Sequence, residues 1–103
     1  MSGLVLVPGP AHPDLAADIA QILGLAVIPV QVERFPDGEL SVRLLEPVRG
    51  LTAVIVQPTG PPVDSHLVEL LALADACRRS AADKVIAVVP YLGYARGDRR
   101  HGR

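Results

Sequence analysis

Leu51-Thr52-Ala53-Val54-Ile55-Val56, then Gln57-Pro58-Thr59-Gly60-Pro61-Pro62, and further on Lys84-Val85-Ile86-Ala87-Val88-Val89, decide the fold class of this chain. Both apolar runs are short, rich in β-branched residues and bounded by turn formers, so both read as buried strands. Between them Leu67, Leu70, Leu71, Ala74 and Cys77 recur at helical spacing and predict a helix with those residues on its apolar face. Asp64 or Ser65 is the expected cap, and Arg78-Arg79 lie where the helix dipole favours cations. Strand, crossover helix and strand make a parallel β-α-β unit.

The same pattern extends upstream. Leu4-Val5-Leu6-Val7 is an apolar run closed by Pro8-Gly9-Pro10, and Pro13 stands where a helix starts. Leu15, Ile19, Ile22 and Leu23 follow at helical spacing until Gly24 ends the pattern. Residues 25–32 are apolar but contain Pro29, which favours an edge or bent strand. Leu40-Ser41-Val42-Arg43-Leu44 alternates as a half-exposed strand does, and Asp37-Gly38 between these runs is a strong turn signal. The expected order is β-α-β-β-β-α-β: an α/β fold, a mostly parallel sheet with flanking helices, and a β-hairpin flag projecting from it.

A chain of 103 residues with 50% apolar content forms one domain, here residues 1–103, with a single core. The net charge of −1 comes with no basic stripe outside the last residues, which argues against a general nucleic-acid binder. One cysteine excludes an intrachain disulfide and makes a reducing cytoplasm the default location. Nothing in residues 1–8 has the form of a signal peptide, and no run reaches the roughly 20 apolar residues of a membrane span, so no membrane association is expected.

Two constellations carry candidate chemistry. In Arg34-Phe35-Pro36-Asp37-Gly38-Glu39 the one Phe of the chain sits at a turn beside two carboxylates. An aromatic face can stack on a planar base, and carboxylates can accept hydrogen bonds from an exocyclic amine. The competing reading is a plain turn, with Phe35 tucked beneath it and Glu39 solvated; on this segment alone, turn chemistry is the simpler account.

The second constellation is Pro90-Tyr91-Leu92-Gly93-Tyr94-Ala95-Arg96 and the tail Gly97-Asp98-Arg99-Arg100-His101-Gly102-Arg103. Four of the ten Lys/Arg residues fall in the last eight positions, against one carboxylate there. A cationic segment after a strand of an α/β sheet is where such folds gather anionic ligands. Arg96 can hold a phosphate bidentately, and Arg99, Arg100 and Arg103 can screen further phosphate charge. A solvated basic terminus explains the same composition equally well. Other candidates are weaker. His12, His66 and His101 lack metal-ligand spacing, with His12 placed as a cap or loop residue. Cys77 reads as core, and Arg49-Gly50 with Arg78, Arg79 and Ser80 is a conceivable anion site that spacing does not establish.

Taken in order, these segments resemble the ribose-phosphate pyrophosphokinases, also called phosphoribosyl pyrophosphate synthetases. The match runs from Leu4 to Arg100. Its strongest points are Arg34–Glu39, Val48-Arg49-Gly50, His66-Leu67-Val68-Glu69-Leu70-Leu71, and Val89–Arg96 with Asp98-Arg99. The resemblance implies a phosphoribosyltransferase-like fold and transfer of the β,γ-diphosphoryl group of ATP to the 1-hydroxyl of ribose 5-phosphate, with Mg2+. It implies two similar domains, of which this chain corresponds to most of the N-terminal one.

The resemblance also implies roles. Phe35, Asp37, Gly38 and Glu39 would bind the adenine of ATP held by a neighbouring subunit of a homo-oligomer. Arg96 would contact the ATP phosphates with Gly97 beside it; Arg99, Arg100 and Arg49 stay candidate phosphate or anion contacts on their charge and position, apart from the resemblance. The family's metal-binding His, catalytic Lys loop and Thr-Gly-Gly-Thr loop for ribose 5-phosphate would fall beyond Arg103, so the 103 residues alone are expected to be inactive. Gly97 departs from the family's usual Gln, and Asp64-Ser65-His66 stands where an Asn-Asp pair is common. The first departure leans towards an alternative: a non-catalytic, synthetase-like regulatory or nucleotide-binding subunit.

Overall fold

The computed structural model describes residues 3–91. Arg96, Gly97, Arg99 and Arg100 lie outside the described residues. Four strands form a wholly parallel sheet: β1 (Leu4–Pro8), β2 (Ala26–Val27), β5 (Thr52–Val56) and β6 (Lys84–Val88), in the order β2-β1-β5-β6. The register pairs Leu6 with Val27 on one side and with Val54 on the other, and Val54 in turn with Ile86. Between β2 and β5, strands β3 (Val30–Arg34) and β4 (Leu40–Leu44) pair antiparallel, Arg34 opposite Leu40. This is the expected α/β fold with its hairpin flag.

Successive strand residues point to opposite faces, and each face has its own helix. Helix α1 (Pro13–Leu23) sets Ala16 and Ala20 against Leu6 and Val56. Helix α2 (Val63–Arg79) sets Leu70, Leu73 and Cys77 against Val5, Val7, Ala53 and Ile55. The flag lies on the α2 side, where Val30, Val42 and Leu44 pack against the same cluster. Burial of Cys77 pushes its thiol above the usual range, in keeping with a core residue.

Local sequence explains where elements start and stop. His12 caps α1, its Nδ1 accepting the Leu15 N–H at 3.1 Å. At the other end Gly24, at φ +69, donates to Gln21 O while Leu25 N–H reaches Ala20 O at 2.9 Å, a Schellman closure. The apolar run 25–32 is broken at Pro29: β2 is a sheet edge, and the chain then leaves the sheet to begin the flag.

Four expectations need correction. The cap of α2 is Pro62, with no side-chain cap bond, and the helix begins at Val63 rather than after Asp64 or Ser65. Its buried face is Leu70, Leu73, Ala76 and Cys77, while Leu71 is exposed, because α2 is covered by the sheet on one side and the flag on the other. In α1 the small residues Ala16 and Ala20 meet the sheet and Ile22 and Leu23 are exposed. The last strand ends at Val88, one residue short of the expected Val89, and it is not buried as expected: it is a sheet edge with Ile86 and Val88 exposed.

Candidate functional site at the sheet edge and the flag

Strand order reverses between β1 and β5: β2 lies on one side of β1, while β5 and β6 lie on the other. In open α/β sheets the crevice beyond the carboxyl ends of strands at such a reversal is where ligands bind. Here Gln57, the residue after β5, fills that position and is fully buried. Its Oε1 accepts the Ala11 N–H at 3.0 Å, bridging to the loop after β1. Its Nε2 donates to His66 O at 3.2 Å and to Glu69 Oε1 at 3.0 Å, both on α2. Every atom of the amide that needs a partner has one, as burial of a polar group requires. The loop after β1 accommodates this because of Gly9: a Cβ there would stand 2.1 Å from Gln57 Oε1.

The loop after β5 also holds the start of the second motif. Thr59 N–H and Oγ1 both donate to Tyr91 O, at 2.8 and 3.0 Å. The Tyr91 ring lies over Gly60, where a Cβ would come within 2.9 Å of it. His66 faces Gly60 O at 2.8 Å through Nδ1, and since a carbonyl only accepts, that nitrogen carries the proton. A cavity of about 420 Å³ lined by Pro62, Val63, Asp64 and Ser65 opens beside this loop at the head of α2.

The first motif is the tip of the flag. Gly38 N–H donates to Phe35 O at 2.8 Å, closing a turn with Pro36 in its second position, where a fixed φ is suited. Gly38 at φ +91 sends the chain back, and Phe35 N–H pairs with Glu39 O at 2.8 Å. Asp37 Oδ1 accepts the Glu39 N–H at 2.9 Å, so one oxygen of that carboxylate belongs to the turn. Phe35 is not tucked beneath: it is 39% exposed. Glu39 is exposed, and its carboxylate makes no bond among the described residues.

Phe35, Asp37, Gly38 and Glu39 are thus brought together on one turn, and that turn is tied to the sheet edge. Arg34 donates through Nη1 to Gly38 O at 3.1 Å, and its Nη2 lies 3.8 Å from Glu69 Oε2. Arg49 is elsewhere. It is exposed in the loop before β5, at the opposite end of the sheet, where Gly50 N–H donates to Ala81 O at 3.0 Å. Neighbouring Arg79 is engaged by Asp75 Oδ2 at 2.7 Å. Sequence reasoning gave no role to Gln57 or Glu69. The available signal was a lone amide ending an otherwise apolar strand at the edge where such folds bind ligands. Among the described residues no three His, Cys, Asp or Glu side chains cluster closely enough to hold a metal ion, and no helix is long and apolar enough to cross a membrane.

Comparison with known proteins agrees with the architecture. Residues 4–103 match the family model described as the N-terminal domain of ribose phosphate pyrophosphokinase. A chloroplastic ribose-phosphate pyrophosphokinase 2 of Spinacia oleracea is 50% identical over 97 residues, covering 94% of this chain and 25% of the relative. The ribose-phosphate pyrophosphokinase of Prochlorococcus marinus subsp. pastoris is 46% identical over 99 residues, covering 96% and 30%. The crystal structure of phosphoribosylpyrophosphate synthetase from Mycobacterium smegmatis superposes with a TM-score of 0.89 at 37% identity, covering 99% of this chain and 34% of that one. The chain therefore spans between a quarter and about a third of the length of these relatives. It belongs to the family of the ribose-phosphate pyrophosphokinase N-terminal domain.

Proposed function

We propose, with that family as the premise, that the chain is the ATP-holding N-terminal portion of a ribose-phosphate diphosphokinase. The reaction joins the 1-hydroxyl oxygen of ribose 5-phosphate to the β-phosphorus of ATP. The bond between that phosphorus and the oxygen bridging to the α-phosphate breaks, AMP leaves with the electron pair, and the hydroxyl proton is released. Chemistry of this kind depends on positioning and charge neutralisation.

The observation that carries the reading is the exposed Phe35 face on the same turn as the uncommitted carboxylate of Glu39, a turn closed by the Gly38 N–H to Phe35 O and Phe35 N–H to Glu39 O bonds. Phe35 stacks on the adenine, and Glu39 or the second oxygen of Asp37 accepts from its amino group. The carbonyl of Gly38 is occupied by Arg34, so Gly38 contributes its backbone conformation. Arg96 holds the phosphates, with Gly97 offering backbone where the family has a side chain; Arg99 and Arg100 are further anion contacts, and Arg49, at the opposite end of the sheet, would meet an anion only at a separate place. Mg2+ supplies charge neutralisation on the phosphates when bound. Among the described residues no cluster of ligands for it is found.

The turn meets the ATP of a neighbouring subunit in a homo-oligomer acting in nucleotide biosynthesis. The 103 residues by themselves make no phosphoribosyl pyrophosphate, and the cytoplasm is the proposed location. Calorimetry on the complete protein with ATP and GTP tests the site. Phe35→Ala should weaken ATP by about 1–3 kcal/mol, the range for a base stacked on an aromatic side chain, and narrow the preference over GTP. Arg96→Ala should weaken both nucleotides alike, through a lost charge-assisted contact. Unchanged ATP affinity and base preference in Phe35→Ala would leave the turn as a plain turn.

A further inference from the structure

Four groups from four parts of the chain form an unbroken polar line: Ala11 N–H, the Gln57 amide, the Glu69 carboxylate and the Arg34 guanidinium, with Arg34 ending on Gly38 O. The line starts in the loop after β1 and finishes in the turn that carries Phe35. At one end Gln57 is fully buried and cannot move without unpairing Ala11 N–H and His66 O. At the other, the flag is a two-stranded hairpin, an element of marginal stability by itself, whose tip is exposed. Glu69 stands between them with both carboxylate oxygens in use, one facing Gln57 and one facing Arg34. Its side chain is only 15% exposed, whereas that of Arg34 is 42% exposed, so the pair is shielded from water on the Glu69 side alone.

We propose that Gln57, Glu69 and Arg34 form a strut that fixes the Phe35–Glu39 turn relative to the carboxyl edge of the sheet, making Glu69 and Arg34 positioning residues for the nucleotide. The inference rests on the nucleotide reading of that turn. Apolar contacts of Val30, Val42 and Leu44 hold the body of the flag against the core and do not include its tip. The guanidinium fork restrains the tip, because one group reaches the turn carbonyl and the anchored carboxylate together. A base stacked on Phe35 needs the ring presented at a set angle and position on this subunit when it meets the ATP of the neighbouring one. Losing the strut therefore lowers affinity without removing any group that touches the ligand.

The test measures ATP dissociation constants and amide hydrogen exchange on the complete protein. Glu69→Ala removes both contacts and should raise the dissociation constant about tenfold. Glu69→Gln keeps an acceptor for Gln57 and loses the charge facing Arg34, so its effect should be smaller, about two- to fivefold. Exchange at the Phe35, Gly38 and Glu39 amides should quicken in Glu69→Ala while that of the β1 and β5 amides stays as it was. In a Phe35→Ala background the Glu69→Ala effect on affinity should vanish, since Glu69 acts through the ring it positions. Equal loss in both backgrounds, or unchanged exchange at the turn, would overturn the strut; a fall in melting temperature alone, with affinity intact, would assign Glu69 to structure only. If Phe35→Ala itself leaves ATP binding unchanged, the nucleotide reading fails, and the exchange rates still decide whether the strut exists.

Discussion

Gln57 and Phe35 invert the usual rule of polar outside and apolar inside, and they do so at the two ends of one polar line. Gln57 is 0% exposed and every partner of its amide is internal, whereas Phe35 is 39% exposed on a turn that does not need its ring. A buried amide with all its bonds made acts as a fastener between elements. The exposed ring, on a turn closed without it, has a face open for the stacking proposed above. The parallel sheet and its two helices thus hold the buried core, and the flag carries the surface proposed for recognition.

Substitutions sharpen that division. Leu73 is fully buried between α2 and the sheet, so Leu73→Ala should cost about 2–5 kcal/mol in denaturant unfolding, the largest effect expected here. Gln57→Leu preserves approximate bulk but strands the Ala11 N–H and one oxygen of Glu69, and should cost about 1–3 kcal/mol in the same measurement. Phe35→Ala should change unfolding by no more than about 0.5 kcal/mol, because the turn is closed by backbone bonds and by Asp37. If Phe35→Ala cost as much as Gln57→Leu, the ring would be a structural residue and the contrast would collapse.

The sequence revealed most of the architecture for physical reasons. Apolar β-branched runs at 4–7 and 51–56 are the central strands, buried on both faces of the parallel sheet, the run at 84–89 is its exposed edge, and the Asp37-Gly38 turn marked the flag. Helix faces were harder to place. Periodicity gives a stripe but not what covers it: α2 is wedged between sheet and flag, which rotates its buried face onto Leu73 and leaves Leu71 outside. In α1, alanines make the close contact and the larger Ile22 and Leu23 are left at the exposed end. Of the site, the turn was legible because glycine, proline and aspartate each have a local reason to be there. The strut was not, because Arg34, Gln57 and Glu69 are far apart in sequence and meet only once the sheet, helix and flag have assembled.

Photolabelling with 8-azido-ATP on the complete protein tests the central claim most directly, since it asks which residues the adenine touches. Trypsin cutting after Arg34 and Arg43 isolates the turn as the peptide Phe35–Arg43. The account predicts label in that peptide, prevented by excess ATP and much less by GTP, and reduced in Phe35→Ala. Saturable, ATP-protected labelling confined to other peptides, with Phe35–Arg43 unmodified, would contradict it.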